Sequence, residues 1–482
     1  MNKKINTVFV SGNFNIIHPG HLRILKYAKN QGSKLIVGVE SDKLAGAAVR
    51  INEKLRLESI KSIEFVDEAF IINDSIENSI KKIKPNIVVK GKEHEFKFNT
   101  EDKILKQYGG KILFSSGESN LTSFDFINEE INDKAADFDF PTDYIHNHSI
   151  KYDKLISLVS NFNKIKLLVI GDLIVDEYIE SLPIGMSHED PALVISPQSN
   201  KKFLGGAGIV AAHGSKLGAQ VQFISMIGKD APGKFARKSL LKYGVDAHLF
   251  EEHHRPTSLK QRYKNQNKTL IRINNLQELS INIKLQDKVI KKFISLLKNI
   301  DGIIFSDFNY GFLPSRLVDA CISNAKMKNI FISADSQSSS QIGDIGRFKK
   351  ADLITPTERE ARLSLKNNED GLIILSNKIQ KETKSKQVIL KLNQQGIIIN
   401  NYKNKSMPTS KLSALNTNPI DVAGAGDSLL TASSLAMCAG GSIYEASYIG
   451  SLAAALQIGQ TGNIPLKQKS LLNEIEKCKH LF

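Results

Sequence analysis

Along the first part of the chain, short apolar runs rich in β-branched residues alternate with amphipathic stretches. Thr7–Ser11, Lys34–Glu40, Glu68–Ile72, Asn86–Lys90 and Gly110–Phe114 predict strands, and Leu22–Asn30 and Glu53–Ile63 predict helices between them. Strands joined through helices imply crossover connections and hence a parallel sheet with covering helices. The period is lost at Asn132–Asp143, which is acidic, proline-bearing and aperiodic. That break predicts a first domain over 1–135 and a linker over 136–163. A second alternating region, 164–482, opens with the run Lys166–Asp172. It predicts helices after Gly205, at Ala231–Lys242 and at Ile283–Lys298, and strands at Gly302–Phe305 and Ile330–Ala334. Stretches of β-formers around Pro191–Ser196 and Ser258–Arg272 interrupt the rhythm and predict a small separate sheet, placed as a lid. The fold class is α/β in both halves.

A length of 482 residues exceeds what one compact core organises, which agrees with two domains. No apolar run reaches the roughly 18 residues of a membrane span, and Met1–Asn6 lacks the apolar stretch of a signal peptide. Cys321, Cys438 and Cys478 are scattered, without disulfide or metal spacing, so a reducing cytoplasm is expected. The net charge of +15 comes from dispersed lysines with no dense tract, which argues against nucleic acid as the partner and leaves mild steering of anionic metabolites.

Two segments carry chemistry. The first, Gly12-Asn13-Phe14-Asn15-Ile16-Ile17-His18-Pro19-Gly20-His21, follows the first strand and opens a helix. A glycine there brings backbone N–H groups close to phosphates, and the helix N-terminus turns its positive end toward them. His18 and His21, three apart, reach one site and can donate hydrogen bonds to a triphosphate. Pairs so spaced also occur as metal ligands or plain surface residues. Strand, glycine, histidines and helix together favour nucleotidyl transfer, in which positioning and charge stabilisation do the catalysis. Residues 7–130 resemble the cytidylyltransferase-like nucleotidyltransferases through this His-x-Gly-His loop. They resemble more closely the adenylyltransferase half of the bifunctional heptose-7-phosphate kinase / heptose-1-phosphate adenylyltransferases, through Gly38–Asp42, Arg50–Arg56 and Lys84–Gly91. The resemblance implies a Rossmann-like domain. It also implies that Gly12, Asn13, Phe14, Lys54, Arg56, Thr122 and Ser123 contact nucleotide or phosphate, with His18 and His21 catalytic. Asn15 stands where those relatives carry Asp. ATP is favoured as nucleotide, with CTP as the other choice.

The second segment is Asp421-Val422-Ala423-Gly424-Ala425-Gly426-Asp427. A sugar kinase needs a base at the acceptor hydroxyl, an anion hole for the moving phosphoryl group and Mg2+. Small residues at a helix start supply the hole, and Asp427 beside them supplies the base; a bare turn before a helix shares the same letters. Residues 166–480 resemble the ribokinase-like (PfkB) sugar kinases through Gly171-Asp172 with Asp176, Phe203–Gly208, Gly218–Gly233 and Thr355–Glu360. Ser187–Ala192 is similar to the heptose kinases in particular. The resemblance implies that Gly424, Ala425 and Gly426 form the anion hole, Asp427 is the base, Asp172, Gly205 and Gly206 meet the sugar and Glu360 helps hold Mg2+. It also implies a homodimer. Ile209, Tyr310, Gln337 and Thr357 replace, respectively, the family's Asn after the double glycine, the Lys of Ser-Asp-Tyr-x-Lys-Gly, the Lys of Asp-Pro-Lys and the Asn of Asn-x-x-Glu. The leading reading is a bifunctional enzyme of activated-sugar synthesis, acting on a sugar phosphate and a nucleoside triphosphate. The competing one is a transferase attached to a degenerate kinase that senses sugar phosphate or dimerises.

Overall fold

The computed structural model describes residues 6–15, 17, 19–46, 49, 51–91, 100–115, 141–252, 254–265, 268–338, 342–401, 409–416 and 419–482. His18, Thr122 and Ser123 lie outside the described residues. The chain divides into two compact units, 1–135 together with 367–377, and 136–366 together with 378–482.

The first unit is built on β1 (Thr7–Gly12), β2 (Lys34–Glu40), β3 (Glu68–Ile72), β4 (Ile87–Gly91) and β5 (Lys111–Ser115), in the order β3-β2-β1-β4-β5 and all parallel. β1 is central, and Val8, Phe9 and Val10 are buried, as a strand covered on both faces requires. Strand order reverses between β1 and β4. In such sheets the crevice beyond the carboxyl ends at that reversal is where ligands bind, and the loop beginning at Gly12 leaves β1 there.

The second unit holds two sheets. Its strands are β6 (Lys166–Gly171), β7 (Leu173–Met186), β8 (Leu193–Gly206), β9 (Gln220–Ile227), β10 (Asp246–Glu251), β11 (Ser258–Asn265) and β12 (Lys268–Asn275). They continue with β13 (Gly302–Asp307), β14 (Phe331–Ser336), β15 (Leu353–Ile354), β16 (Gln387–Lys391), β17 (Ile397–Asn401) and β18 (Thr409–Leu412). The main sheet runs β10-β9-β6-β13-β14-β15-β16-β17-β18, parallel up to β16 and antiparallel beyond. The small sheet runs β12-β11-β7-β8; the stretches Pro191–Ser196 and Ser258–Arg272 fall largely in its strands β8, β11 and β12, as a separate sheet requires, and the long strand β7 completes it.

Three helices buried along most of their length, Ala207–Lys216, Ala425–Cys438 and Ile443–Ile458, form the core with the sheet. Small residues let two of them approach closely: a Cβ on Gly450 would fall 2.0 Å from Ser433 Oγ.

The linker reading of 136–163 needs correction from residue 141 onward. Thr142–Asn147 and Tyr152–Ser160 are helices, and Tyr144, Ile145, Ile150, Leu155, Leu158, Val159 and Phe162 are buried in the second unit's core. Tyr144 also donates a hydrogen bond to the Tyr444 carbonyl at 2.8 Å. The acidic first part of the stretch hid the apolar period that follows it. No helix among the described residues is long and apolar enough to cross a membrane.

Candidate functional site

In the second unit, three strands of the main sheet end on polar side chains: Asp307 and Ser336 close β13 and β14, and Lys391 closes β16. The helix Ala425–Cys438 starts beside them. Gly424 caps it with φ +80°, and a Cβ there would lie 2.3 Å from Asn463 Oδ1, so the turn accepts glycine alone. The first amides of a helix have no intrahelical acceptor, which leaves those of Ala425 and Gly426 to receive an anion.

Asp427 sits in the first turn, 6% exposed, and accepts a hydrogen bond from Gln337 Nε2 at 2.7 Å. Burial, reinforced by the charges of Asp335 and Asp176 and opposed by Lys391, pushes its pKa up to about 7. A carboxylate so placed exchanges its proton near neutrality, as a general base must. Around it, Lys391 Nζ donates to Asp335 Oδ2 at 2.7 Å. Glu360 forms a capping box with Thr357: its Oε2 accepts from the Thr357 amide at 2.7 Å, while Oε1 accepts from the Ser338 amide at 2.9 Å. Asp335 and Lys391 went unnoticed as site residues in the sequence. The available signal was a lysine ending the apolar run Val388-Ile389-Leu390, where a buried charge requires a partner.

The sugar side requires a correction. Asp172 is buried, and both its oxygens serve backbone amides: Oδ2 accepts from Phe308 (2.9 Å) and Tyr310 (3.3 Å), Oδ1 from Phe312 (3.3 Å). It anchors the loop after β13. Asp176, four residues further along and within β7, is the carboxylate near Asp427. Its Oδ2 accepts from Asn463 Nδ2 at 3.1 Å, and Arg262 Nη2 stands 3.9 Å from Oδ1. Gly205 lets β8 pass this group, since a Cβ there would lie 2.3 Å from Asp176 Oδ2. Gly206, at φ +55°, likewise clears the Asp172 carbonyl.

The four substituted positions all have local employment. Ile209 is buried in its helix, and Tyr310 packs with Phe308 and Ile174. Gln337 holds Asp427, and Thr357 caps the helix Glu358–Leu365. Asp307, its pKa raised to about 7 chiefly by burial, faces Arg347 Nη2 at 2.5 Å. Above the cluster, Lys260, Arg262 and Lys264 alternate along β11 and so share one of its faces. Lys260 Nζ lies 5.1 Å from the Phe308 ring centre, and Lys264 Nζ lies 4.9 Å from that of Tyr178. A cavity of about 360 Å³ opens along the helix Ile443–Ile458, lined by Leu415, Tyr448, Leu452, Ala455 and Leu456.

In the first unit, Phe14 is buried with φ +50°, and its ring meets that of His21 edge-on at 5.2 Å between centres. A Cβ on Gly12 would press on the Phe14 ring at 3.3 Å. The glycine, the aromatic and His21 thus come together at the end of β1. Arg56 does not join them as an exposed phosphate ligand, and the expectation is corrected. Its side chain is wholly buried, donating to the Ile51 carbonyl (Nε, 2.7 Å), the Asn13 carbonyl (Nη1, 2.5 Å) and Asp42 Oδ1 (Nη2, 2.6 Å). It braces the loop at Asn13 from behind. Lys54, two residues earlier on the helix Glu53–Lys61, is exposed.

Residues 9–128 match the cytidylyltransferase-like family, and residues 164–469 match the pfkB family of carbohydrate kinases. The bifunctional protein HldE of a Nitratiruptor species is 29% identical over 317 residues, 65% of this chain and 65% of that protein. HldE of Helicobacter pylori is 31% identical over 303 residues, 62% of this chain and 64% of that one. The chain thus spans just under two-thirds of the length of these relatives. Arabidopsis thaliana ribokinase, solved with ribose and ATP, superposes with a TM-score of 0.51 at 21% identity, over 64% of this chain and 98% of that one. Phosphofructokinase-2 from Escherichia coli, in its tetrameric inhibited form, gives 0.52 at 15% identity, over 65% and 99%. At such identities the likeness is one of fold. The kinase match covers more than half of the sequence, and the glycine-capped helix with its buried aspartate lies within it: the chain belongs to the pfkB family of carbohydrate kinases, with a cytidylyltransferase-like domain ahead of the kinase.

Proposed function

We propose that the chain is a bifunctional enzyme of nucleotide-activated sugar synthesis. Its kinase phosphorylates a sugar phosphate, a heptose 7-phosphate at O1, with ATP. Its transferase joins the resulting type of sugar 1-phosphate to a nucleotide, ATP in preference to CTP, and releases pyrophosphate. A separate phosphatase removes the 7-phosphate between the two steps. The observation that carries the kinase assignment is Asp427, buried, raised to about 7 and beside the open amides of Ala425 and Gly426.

In the kinase step the acceptor hydroxyl gives its proton to a carboxylate oxygen of Asp427. The freed oxygen attacks the γ-phosphorus, the bond to the β–γ bridging oxygen breaks, and ADP leaves. The amides of Ala425 and Gly426 receive the equatorial oxygens as charge shifts onto them. Asp176 is the carboxylate placed to orient the acceptor. The basic row Lys260, Arg262 and Lys264 supports an acceptor that already carries a phosphate. The cavity along Ile443–Ile458, lined by the apolar Leu415, Leu452 and Leu456 together with the polar Asn416, Glu474 and Lys477, suits a nucleotide base.

Among the described residues, no group of three or more His, Cys, Asp or Glu side chains is arranged to hold a metal. Asp335 Oδ1, buried without a hydrogen-bond partner, is the oxygen donor that fits Mg2+ arriving on the nucleotide with most of its water, where it would neutralise phosphate charge. Both Glu360 oxygens already accept backbone amides, so Glu360 would act through bound water.

In the transferase, a phosphate oxygen of the sugar 1-phosphate attacks the α-phosphorus, with His18, His21 and Lys54 stabilising charge. His18→Ala is expected to abolish pyrophosphate release. The five apolar residues exposed at the tip of the β7–β8 hairpin, Leu182, Ile184, Met186, Leu193 and Val194, favour a homodimer through the lid. ATP dependence and unpaired Cys321, Cys438 and Cys478 suit a cytoplasmic enzyme.

Mass spectrometry of the purified protein with Mg·ATP and D-glycero-D-manno-heptose 7-phosphate tests the kinase. A bisphosphate that forms with the wild type and not with Asp427→Asn supports it. No product with the wild type overturns the assignment to this sugar.

A further inference from the structure

Lys391 is a cation in a place that ordinary packing does not require. It is the last residue of β16, 9% exposed, and its ammonium donates to Asp335 Oδ2 at 2.7 Å. An ammonium has three N–H donors, so two remain for other acceptors. Its aim is informative. A Cβ built on Gly426 would lie 3.3 Å from Lys391 Nζ and 3.9 Å from its Cδ. Apart from the helix's own turn and the neighbouring residues, no other described atom comes within 4 Å of that point. Among the described residues, the side of Gly426 where a side chain would stand therefore faces one neighbour beyond its own turn, the positively charged end of Lys391.

The surrounding charges point the same way. Asp335, Glu360 and Asp427 all bear on Lys391 and hold its pKa up against burial, so it stays charged at neutral pH. Arg347, a partly buried cation, is committed to Asp307 and Asn309. A phosphoryl group arriving at the Ala425 and Gly426 amides would meet three carboxylates and gain one cation in contact, Lys391. In such transfers, charge accumulates on the equatorial oxygens and preorganised cations lower the barrier.

We propose that Lys391 is a catalytic residue of the kinase, its ammonium contacting the γ-phosphoryl group beside the Gly426 amide as that group passes to the acceptor. The proposal rests on the kinase reading above. It assigns to β16 a function distinct from neutralising Asp335.

Three variants separate the two roles: Lys391→Met, Lys391→Arg and the double variant Lys391→Met/Asp335→Asn, in which neither charge is left buried alone. Calorimetric titration with ATP and with ADP, at fixed Mg2+, reads the γ-phosphate contact without any sugar. Loss of affinity by roughly tenfold for ATP and little for ADP is expected in Lys391→Met, with partial recovery in Lys391→Arg. Phosphoryl transfer should fall by about 10²–10³ in kcat. The double variant should recover the melting temperature but not the ATP preference.

An unchanged ratio of ATP to ADP affinity in Lys391→Met overturns the proposal, as does recovery of kcat together with melting temperature in the double variant. Failure of the wild type to bind ADP would sink the kinase reading itself, a different result, since ATP binding is also expected of the transferase. Pyrophosphate release by the first unit monitors intact protein in every case.

Discussion

The two phosphate sites proposed for this chain differ in their electrostatics. In the kinase unit, carboxylates are buried together: Asp427 and Asp307 are raised to about 7 and Asp335 to about 6, each chiefly by burial. In the transferase unit, the loop from Gly12 to Phe14 is shaped by backbone and aromatic packing, while Lys54 remains exposed. The difference follows from the nucleophiles. A sugar hydroxyl must lose a proton as it attacks, so the kinase needs a base tuned toward neutrality, and burial is the means of tuning it. A phosphate nucleophile is already an anion. Its site needs cations and well-aimed amides, which work at a solvent-facing edge.

Removing the tuned base should break the comparison most sharply. Asp427→Asn keeps the shape and the hydrogen bond from Gln337 but cannot accept the proton. Kinase kcat should fall by about 10²–10⁴, while pyrophosphate release by the transferase stays at the wild-type level. A parallel loss of both activities would mean that Asp427 supports the fold and not the chemistry.

The next largest effect tests the opposite assignment for a charged residue. Arg56 is a brace, bonded to Ile51, Asn13 and Asp42 and wholly buried. Arg56→Met would leave the Asn13 and Ile51 carbonyls without their donor and Asp42 without its cation. Asp42 is 37% exposed and can take up water, so the expected loss is that of backbone carbonyls left without a donor, about 1–3 kcal/mol, read as a lowered melting transition of the first unit with the second unchanged. Loss of triphosphate affinity at full stability would restore Arg56 to the set of phosphate ligands.

These two residues also mark what the sequence makes legible. Period and composition located the strands of the first sheet to within a residue at each end, because a parallel sheet covered on both faces leaves an uninterrupted apolar run. Glycines flanking a helix start located Asp427 for a similar reason: positive φ at Gly424 restricts the residue type. Direction was not legible. Asp172 and Asp176 stand four positions apart, one just before β7 and one within it, and only the loop 308–312 returning onto Asp172 marks it as the structural one of the two. Arg56 looks like a phosphate ligand until its three protein acceptors are seen. The role proposed for Lys391 rests on Asp335 and Gly426, 56 and 35 positions away, contacts that no local pattern encodes.

Stability against pH sharpens the contrast further. The folded pKa of Asp427, about 7, lies above its ordinary value of 3.8, so the native state holds this proton more tightly than the unfolded chain. That contribution is fully present below pH 3.8 and is lost as pH rises through 7. Asp427→Asn lacks the penalty. Its second-unit melting temperature should match the wild type near pH 4 and exceed it by a few degrees at pH 8, with a ceiling on the order of 4 kcal/mol. Parallel melting curves across that range would show that folding does not raise the pKa of Asp427.

The smallest expected effect concerns salt. Lys54 is exposed in the first turn of its helix, where a positive charge opposes the helix dipole, so Lys54→Ala should leave stability unchanged or slightly higher. If its ammonium meets the triphosphate, the variant should raise the transferase KM for ATP by about tenfold, on the order of 1.4 kcal/mol, with kcat nearly constant. Exposed charges are screened over about 10 Å at 0.1 M salt, whereas buried ones are screened far less. Raising sodium chloride should therefore raise the transferase KM for ATP steeply and the kinase KM only slightly, because Lys391 lies buried against Asp335. In Lys54→Ala the transferase slope should flatten toward that of the kinase. Equal slopes in the wild type would mean that both sites take their phosphate affinity from backbone amides, and the division between an exposed and a buried cation would fall.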